Sequence, residues 1–297
     1  MSKENTILEI KNLTKHYGET VGVENLSLEL KKAEIFGFIG PNGAGKSTTI
    51  RSVMDIINKT EGSVLFEGKE LIRDNVEMKR QIGYLPGEIN LYDDLTVKGM
   101  LDYHESFFKG EEAVRKRRNE LVGILELDEK KRVDSLSLGN LKKLGIVLAL
   151  MHGPKLLILD EPTSGLDPIM QNNFYEILKK EKEKGTTIFY STHILGEISK
   201  LCDRVGIIKD GHLIKMGSIE ELSDKNLNFV TVTSDNAENI VKRLNGVIKQ
   251  REGNTIKFAN NVSTNELLSV LSEYDIEKLL VEEAALEDIF LHYYTED

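Results

Sequence analysis

Only one cysteine, Cys202, occurs in the 297 residues, so an internal disulfide is impossible and a reducing compartment suits the chain. Positive charge is in deficit too. Lys and Arg number 39 against 49 Asp and Glu, a formal charge of −10, which speaks against a general affinity for nucleic acid, whose binders present a basic face. The one basic run, Arg115 to Arg118, is flanked by Glu111, Glu112 and Glu120 and reads as a solvated helix face rather than a binding patch. No hydrophobic run is long enough to cross a bilayer: the longest, LGIVLALM, stops at His152, Gly153 and Pro154. The opening MSKENT does not read as a signal peptide, and neither internal repeats nor low-complexity tracts are visible. The expectation is a soluble protein that, if it serves a membrane, does so through a partner.

What is present begins with length. A chain of 297 residues exceeds what one hydrophobic core comfortably supports, so two domains are expected, and 40% hydrophobic with 30% charged residues is an ordinary globular composition. The strongest local signal is AEIFGFIGPNGAGKSTTIRSVMDII, an apolar strand, a glycine-rich turn and a helix. From Gly40 to Ser47 the turn satisfies G-x-x-x-x-G-K-[ST]. Gly40, Gly43 and Gly45 let backbone N–H groups curl around phosphates, Lys46 supplies a cation, and the Ser47 hydroxyl can ligate Mg²⁺ at the positive end of the following helix.

A second segment, KLLILDEPTSGLD, reads as a buried parallel strand ending in Asp160 and Glu161. Carboxylates at the carboxyl end of such a strand lie in the crevice where open α/β sheets bind ligands. There Asp160 would hold Mg²⁺ through water and Glu161 would polarise the water that attacks a γ-phosphate. Together the two segments define a P-loop NTPase; no N/T-K-x-D base-reading element of the GTPase kind is found.

The kind of NTPase is indicated by LSLGNLKK, residues 136–143. Taken with GPNGAGKST, LLILDEP, SGLD and STH, it resembles the ATP-binding cassette (ABC) family, in order, over roughly residues 5 to 220. The resemblance implies an α/β cassette with a mixed sheet core and a helical subdomain at about 88–148. It implies that ATP is held by Tyr17 stacking on adenine and by Gly40, Asn42, Gly43, Ala44, Gly45, Lys46, Ser47 and Thr48 around the phosphates, with Mg²⁺ on Ser47 and Asp160. A tyrosine packed on the core is the alternative reading of Tyr17. Glu161, His193 and Lys46 would be the catalytic groups. Ser137 and Gly139 match the signature positions that touch the γ-phosphate of a second cassette, although Leu138 and Asn140 replace the commoner glycine and glutamine. Ser164 and Asp167 match the loop crossing between the two nucleotide sites. One position departs from the family: after Pro86, where a glutamine usually reaches Mg²⁺, stand Gly87 and Glu88, so Glu88 or water fills that place or the γ-phosphate link is weaker. Met100, Tyr103, Phe107 and Phe108 lie in the helical region and are ambiguous between core and a contact surface for the membrane subunit, with core favoured for most of them.

Beyond the DG hairpin of GIIKDGHLIKMG, the pattern changes to strand, helix, strand, strand, helix, strand and a last helix at AALEDIFLHYY. The βαββαβ order is that of a small ferredoxin-like α+β unit, with Ser263 and Glu266 placed as a capping box. The expected division is therefore a nucleotide-binding domain over 1–222 and an accessory domain over 226–297. The resemblance implies the ATPase subunit of an exporter for a drug, peptide or other amphipathic solute. Such a subunit pairs with a second cassette, here an identical chain by the presence of every catalytic residue, and sits on the cytoplasmic membrane face through integral-membrane permease subunits, with no nucleic acid. The alternative is a soluble, non-transport ABC ATPase acting on ribosomes or DNA.

Overall fold

The computed structural model describes residues 5–108, 111–222 and 228–283, and the chain divides into two compact units, Met1–Met216 and Gly217–Asp297. The division falls a few residues ahead of the boundary expected from the sequence, at the end of the last strand of the first unit. The helix expected at AALEDIFLHYY lies outside the described residues.

The first unit opens with β1 (Thr6–Tyr17) and β2 (Thr20–Lys31), long antiparallel strands in a four-stranded sheet of order β2-β1-β4-β5 with β4 (Glu61–Phe66) and β5 (Lys69–Glu70). The second sheet holds β3 (Ile35–Ile39), β6 (Ile82–Leu85), β7 (Leu156–Asp160), β8 (Thr187–Thr192), β9 (Arg204–Lys209) and β10 (His212–Ser218) in the order β10-β9-β3-β8-β7-β6. The pairings β6–β7, β7–β8, β8–β3 and β3–β9 are all parallel. Strands buried on both faces need continuous apolar runs, and β3 and β7 supply them. Alternation along β7 then splits the core: Leu156 and Ile158 pack with α1 (Lys46–Val53) and the first sheet, while Leu157 and Leu159 pack with the helices opposite.

Those helices are α3 (Val97–Glu105), α4 (Glu112–Ile124), α5 (Leu138–Leu150), α6 (Pro168–Glu183) and α7 (Leu195–Leu201); the short α2 (Val76–Lys79) precedes β6. The basic run on α4 is only partly a solvated face: Arg115 and Lys116 are exposed, the other two are not. Arg118 is buried and reaches Asp102, Glu105 and Glu129 at 2.5 to 3.0 Å, and Arg117 pairs with Glu120 and with the buried Glu181. Sequence flanks showed the nearest glutamates, but the carboxylates that bury Arg118 come from α3 and the loop after α4. The aromatic positions divide: Met100 is buried and Phe108 half-buried, whereas Tyr103 and Phe107 are exposed and meet edge to face.

The second unit starts with α8 (Ile219–Leu222) and carries a four-stranded sheet of β11 (Asn228–Thr233), β12 (Val247–Glu252), β13 (Thr255–Asn260) and β14 (Lys278–Glu283) in the order β12-β13-β11-β14. All three pairings are antiparallel. With α9 (Ala237–Arg243) and α10 (Thr264–Leu271) between them, this is split βαβ topology. The Ser263 side chain caps α10 by accepting from Glu266 N.

Candidate nucleotide-binding site

The site begins at the turn between β3 and α1. Gly45 is the N-cap of α1 at φ 103, and a Cβ there would lie 2.5 Å from the Gly22 carbonyl oxygen, so neither the backbone angle nor the space admits a side chain. A Cβ on Gly40 would lie 2.4 Å from the Ile208 carbonyl oxygen. The turn is held from outside by the β9–β10 hairpin, whose Gly211 N donates to the Ala44 carbonyl at 3.0 Å. Its Lys46 is buried, with Nζ donating to the carbonyls of Gly40 and Pro41 at 2.8 and 3.0 Å.

Opposite stands the end of β7. Asp160 is 1% exposed, and its Oδ1 accepts from Ser191 Oγ at 2.7 Å. The next residue, Glu161, takes φ 47, a costly angle for a side chain with a Cβ, and the turn re-aims its carboxylate out of the strand direction. Its N–H is met by both the carbonyl and hydroxyl oxygens of Ser191 at 3.2 Å. Glu161 Oε1 lies 3.3 Å from Lys46 Nζ and 3.3 Å from His193 Nδ1, so one carboxylate oxygen joins three segments that are far apart along the chain. Next to Asp160, burial and that carboxylate's charge push the Tyr84 phenol up to about 12.

An open cavity of about 600 Å³ lies between these walls. Tyr17, Asn42, Gly43, Gly45, Lys46, Ser47, Thr48, Asp160, Glu161 and Ser164 line it, as do Gly87 and Glu88 at the position that departs from the family, and three residues that sequence reasoning did not select: Thr20, Gly22 and Arg51. Tyr17 is 48% exposed, with Lys15 Nζ over one face of its ring at 4.8 Å, so it is not packed into the core. Gly40 and Ala44 shape the turn from behind, and His193 reaches the site through Glu161. Ser47 and Asp160 line the same cavity, so a hydroxyl and a buried carboxylate stand ready for a hard cation.

Ser137, Gly139 and Asp167 are not brought to this cavity. Ser137 is the N-cap of α5, accepting from Asn140 N at 3.4 Å, and Asp167 caps α6 by accepting from Ile169 N and Met170 N at 3.0 Å. The signature turn packs instead on the loop after Glu161: a Cβ on Gly139 would lie 3.1 Å from the Gly165 carbonyl oxygen, and one on Gly165 only 2.8 Å from the Leu138 side chain. Leu138 itself is 65% exposed.

Beneath the site lies Glu197, a residue that sequence reasoning missed. It is 3% exposed and accepts from four hydroxyls: Thr163 and Tyr175 on Oε1 at 2.5 and 3.2 Å, Tyr190 and Thr192 on Oε2 at 2.9 and 2.6 Å. Thr163 precedes Ser164 and Thr192 precedes His193, so this buried carboxylate fixes both loops from below. The signal was a glutamate in register with Ile198 and Leu201 on the buried side of a short helix.

Comparison with known proteins adds the rest. The ABC transporter family model matches residues 23–164, and the chain is 36% identical over 222 residues to the linearmycin resistance ATP-binding protein LnrL of Bacillus subtilis, covering 74% of this chain and 71% of LnrL. It belongs to the ABC transporter family. The bacitracin transport ATP-binding protein BcrA of Bacillus licheniformis is 38% identical over 231 residues, 76% of this chain and 74% of BcrA. Among solved structures, a cassette seen as a dimer in a post-hydrolysis state bound to ADP and Pi superposes with a TM-score of 0.65 at 26% identity, covering 72% of this chain and 99% of that one. The chain is thus an ATP-hydrolysing ABC cassette.

Proposed function

We propose that this cassette powers an exporter of antibiotic-like or other amphipathic solutes, with two copies of the chain closing on two ATP molecules and driving separate integral-membrane subunits from the cytoplasmic face. The convergence of Lys46 and His193 on Glu161 Oε1 carries the chemical part of this reading. Glu161 accepts a proton from the attacking water, His193 holds that carboxylate and the γ-phosphate in line, and Lys46 with the N–H groups of residues 42–48 takes up negative charge on the phosphates. Tyr17 offers a flat face to adenine. Mg²⁺ held by Ser47 and Asp160 would neutralise charge on the phosphate oxygens. Gly87 brings no side chain, and Glu88 serves at most through water.

The transport reading is supported by relatives named for resistance and transport, and by the acidic balance of the chain, which does not favour the ribosome or DNA alternative. No described helix is long and apolar enough to cross a bilayer, and the reading assigns the crossing to separate subunits. The pairing of identical copies is supported by a signature turn that lies outside its own cavity, with Leu138 exposed. The described residues of the second unit form an accessory domain, and none of them makes a glycine-rich phosphate turn.

The test uses two inactive variants. Lys46→Ala ruins a chain's own phosphate loop and Ser137→Arg ruins the signature it offers its neighbour. In a Glu161→Gln background, labelled ATP is expected to be trapped by the mixture and by neither variant alone. Mixed dimers that trap nothing would reject the shared site between identical chains.

A further inference from the structure

Lysine is rarely buried without a counter-charge, because removing an ammonium from water is strongly unfavourable unless an anion or several acceptors replace the solvent. Three buried cationic side chains occur among the described residues: Lys46, Arg118 and Lys142. Lys46 has Glu161, and Arg118 has three carboxylates. Lys142, at 1% exposure the most enclosed of the three, has no carboxylate at ion-pair distance among the described residues. Its Nζ donates to the Gly87 carbonyl at 3.2 Å.

The place of this cation gives it meaning. Lys142 projects from α5, the helix capped by Ser137, across to Gly87 on the segment after β6. Gly87 lines the nucleotide cavity and abuts Asp160: a Cβ built there would sit 3.6 Å from both the carbonyl oxygen and Oδ2 of Asp160. Ordinary contact distances mean that a side chain would fit, yet none is there. Burial pulls the Lys142 ammonium below the usual lysine range, and the nearby charges of Asp160 and Glu161 oppose that pull. The lysine is thus one hydrogen bond away from the cavity wall, with the acidic pair close enough to feel its charge.

We propose that Lys142 is a positioning residue for ATP hydrolysis: from the helix that carries the signature turn it clamps the Gly87 carbonyl and backs the Asp160–Glu161 pair with positive charge, a link that position 87 has no side chain to make. Two consequences follow. The orientation of α5, and with it of Ser137 and Gly139, is tied to the wall of the chain's own cavity. The carboxylates also have near them a positive charge that is fixed inside the fold and costs no reorganisation during the reaction. The inference rests on the roles given above to Asp160 and Glu161, and Glu161→Gln measured in the same assay tests the latter by itself, so the two failures are distinguishable.

Lys142→Met is the decisive variant, since it keeps the length of the side chain and removes both donor and charge. If the lysine were there for stability, the full-length protein would melt earlier; a residue kept for function at a desolvation cost predicts an unchanged or higher Tm. The expected result is a kcat for phosphate release lowered about tenfold or more, with KM for MgATP within about threefold of the parent and Tm not reduced. Lys142→Gln, which keeps a donor for the Gly87 carbonyl, is expected to retain more kcat than Lys142→Met. A kcat within about twofold of the parent for Lys142→Met overturns the proposal. So does a loss of kcat that comes with a fall in Tm and weakened ATP binding, which would make Lys142 ordinary structural support.

Discussion

The two units of this chain bury different things. In the first, charged side chains go inside: Glu34, Lys46, Glu105, Arg118, Lys142, Asp160, Glu181 and Glu197 are all buried. In the second, the described core is Val230, Val232, Ile240, Ile256, Phe258 and their neighbours, and its buried polar groups, Thr233, Ser234 and Asn260, are neutral. An apolar core is the easier way to stability, because each buried charge must recover its lost hydration from partners. Several of the buried charges in the first unit belong to ion pairs away from the cavity, such as Arg118 with Glu105 and Glu34 with Arg204. Lys46 and Asp160 line the cavity, however, Lys142 bonds its wall at Gly87 and Glu197 anchors the loops of Ser164 and His193, an arrangement suited to what the charges do. The second unit has no such cluster among its described residues, and it also falls outside the span matched by the family model.

The largest effect that would test this contrast is catalytic. Glu161→Gln removes the proton acceptor while leaving the size of the side chain, so phosphate release should fall by about 10² to 10⁴-fold with ATP binding retained. Full activity in that variant would remove the reason for the strained turn at φ 47.

Next comes the stability of a buried charge against that of a buried ring. Glu197→Ala strands four hydroxyl donors, and a loss of roughly 3–5 kcal/mol in the unfolding free energy of the cassette is expected, with a lower kcat, since the loops of Ser164 and His193 lose their common anchor. Phe258→Ala in the second unit should cost a similar amount, about 3–5 kcal/mol, yet leave the affinity of the cassette for ATP unchanged. Denaturant unfolding and equilibrium nucleotide binding on both variants separate the cases; weakened ATP binding in Phe258→Ala would mean that the second unit supports the site.

A smaller effect is set by pH. His152 stacks on Phe108 with ring centroids 4.7 Å apart, and burial followed by the neighbouring His104 pushes its pKa down to about 4. The folded state therefore binds this proton more weakly than the unfolded chain, whose histidine titrates near 6.5. Stability from this neutral ring is complete above about pH 6.5 and is lost as pH falls towards 4, on the order of 2–3 kcal/mol across that window. His152→Phe should flatten the acid limb of a stability-against-pH curve; an unchanged limb would place the loss on other groups.

The smallest effect is expected from removing the second unit. A chain ending at Leu222 should fold and bind ATP within about threefold of the full-length protein, as expected of a compact unit with its own core. Insolubility of the shortened chain, or loss of nucleotide binding, would show that the two units are not independent.

Much of this molecule was legible in its sequence because the signals were local. A glycine-rich turn between an apolar strand and a helix needs particular residues for backbone reasons alone, so Gly45, Lys46 and Ser47 could be placed from spacing. The same holds for Asp160 and Glu161 at the end of an uninterrupted apolar strand, and for the six alternating elements of the second unit, whose periods and turn residues agree with their folded state. Tertiary structure alone decided which distant groups meet. Lys46, Glu161 and His193 converge because parallel strands deliver their carboxyl ends to one edge. Arg118 is buried because carboxylates arrive from α3 and the segment after α4, which the glutamates beside it in sequence do not reveal. Lys142 and Glu197 read locally as one more charge in a helix, although each sits in register with buried apolar neighbours. Charge inside a protein is tolerated only when partners from elsewhere in the chain compensate for lost water, and linear sequence does not say which partners those are.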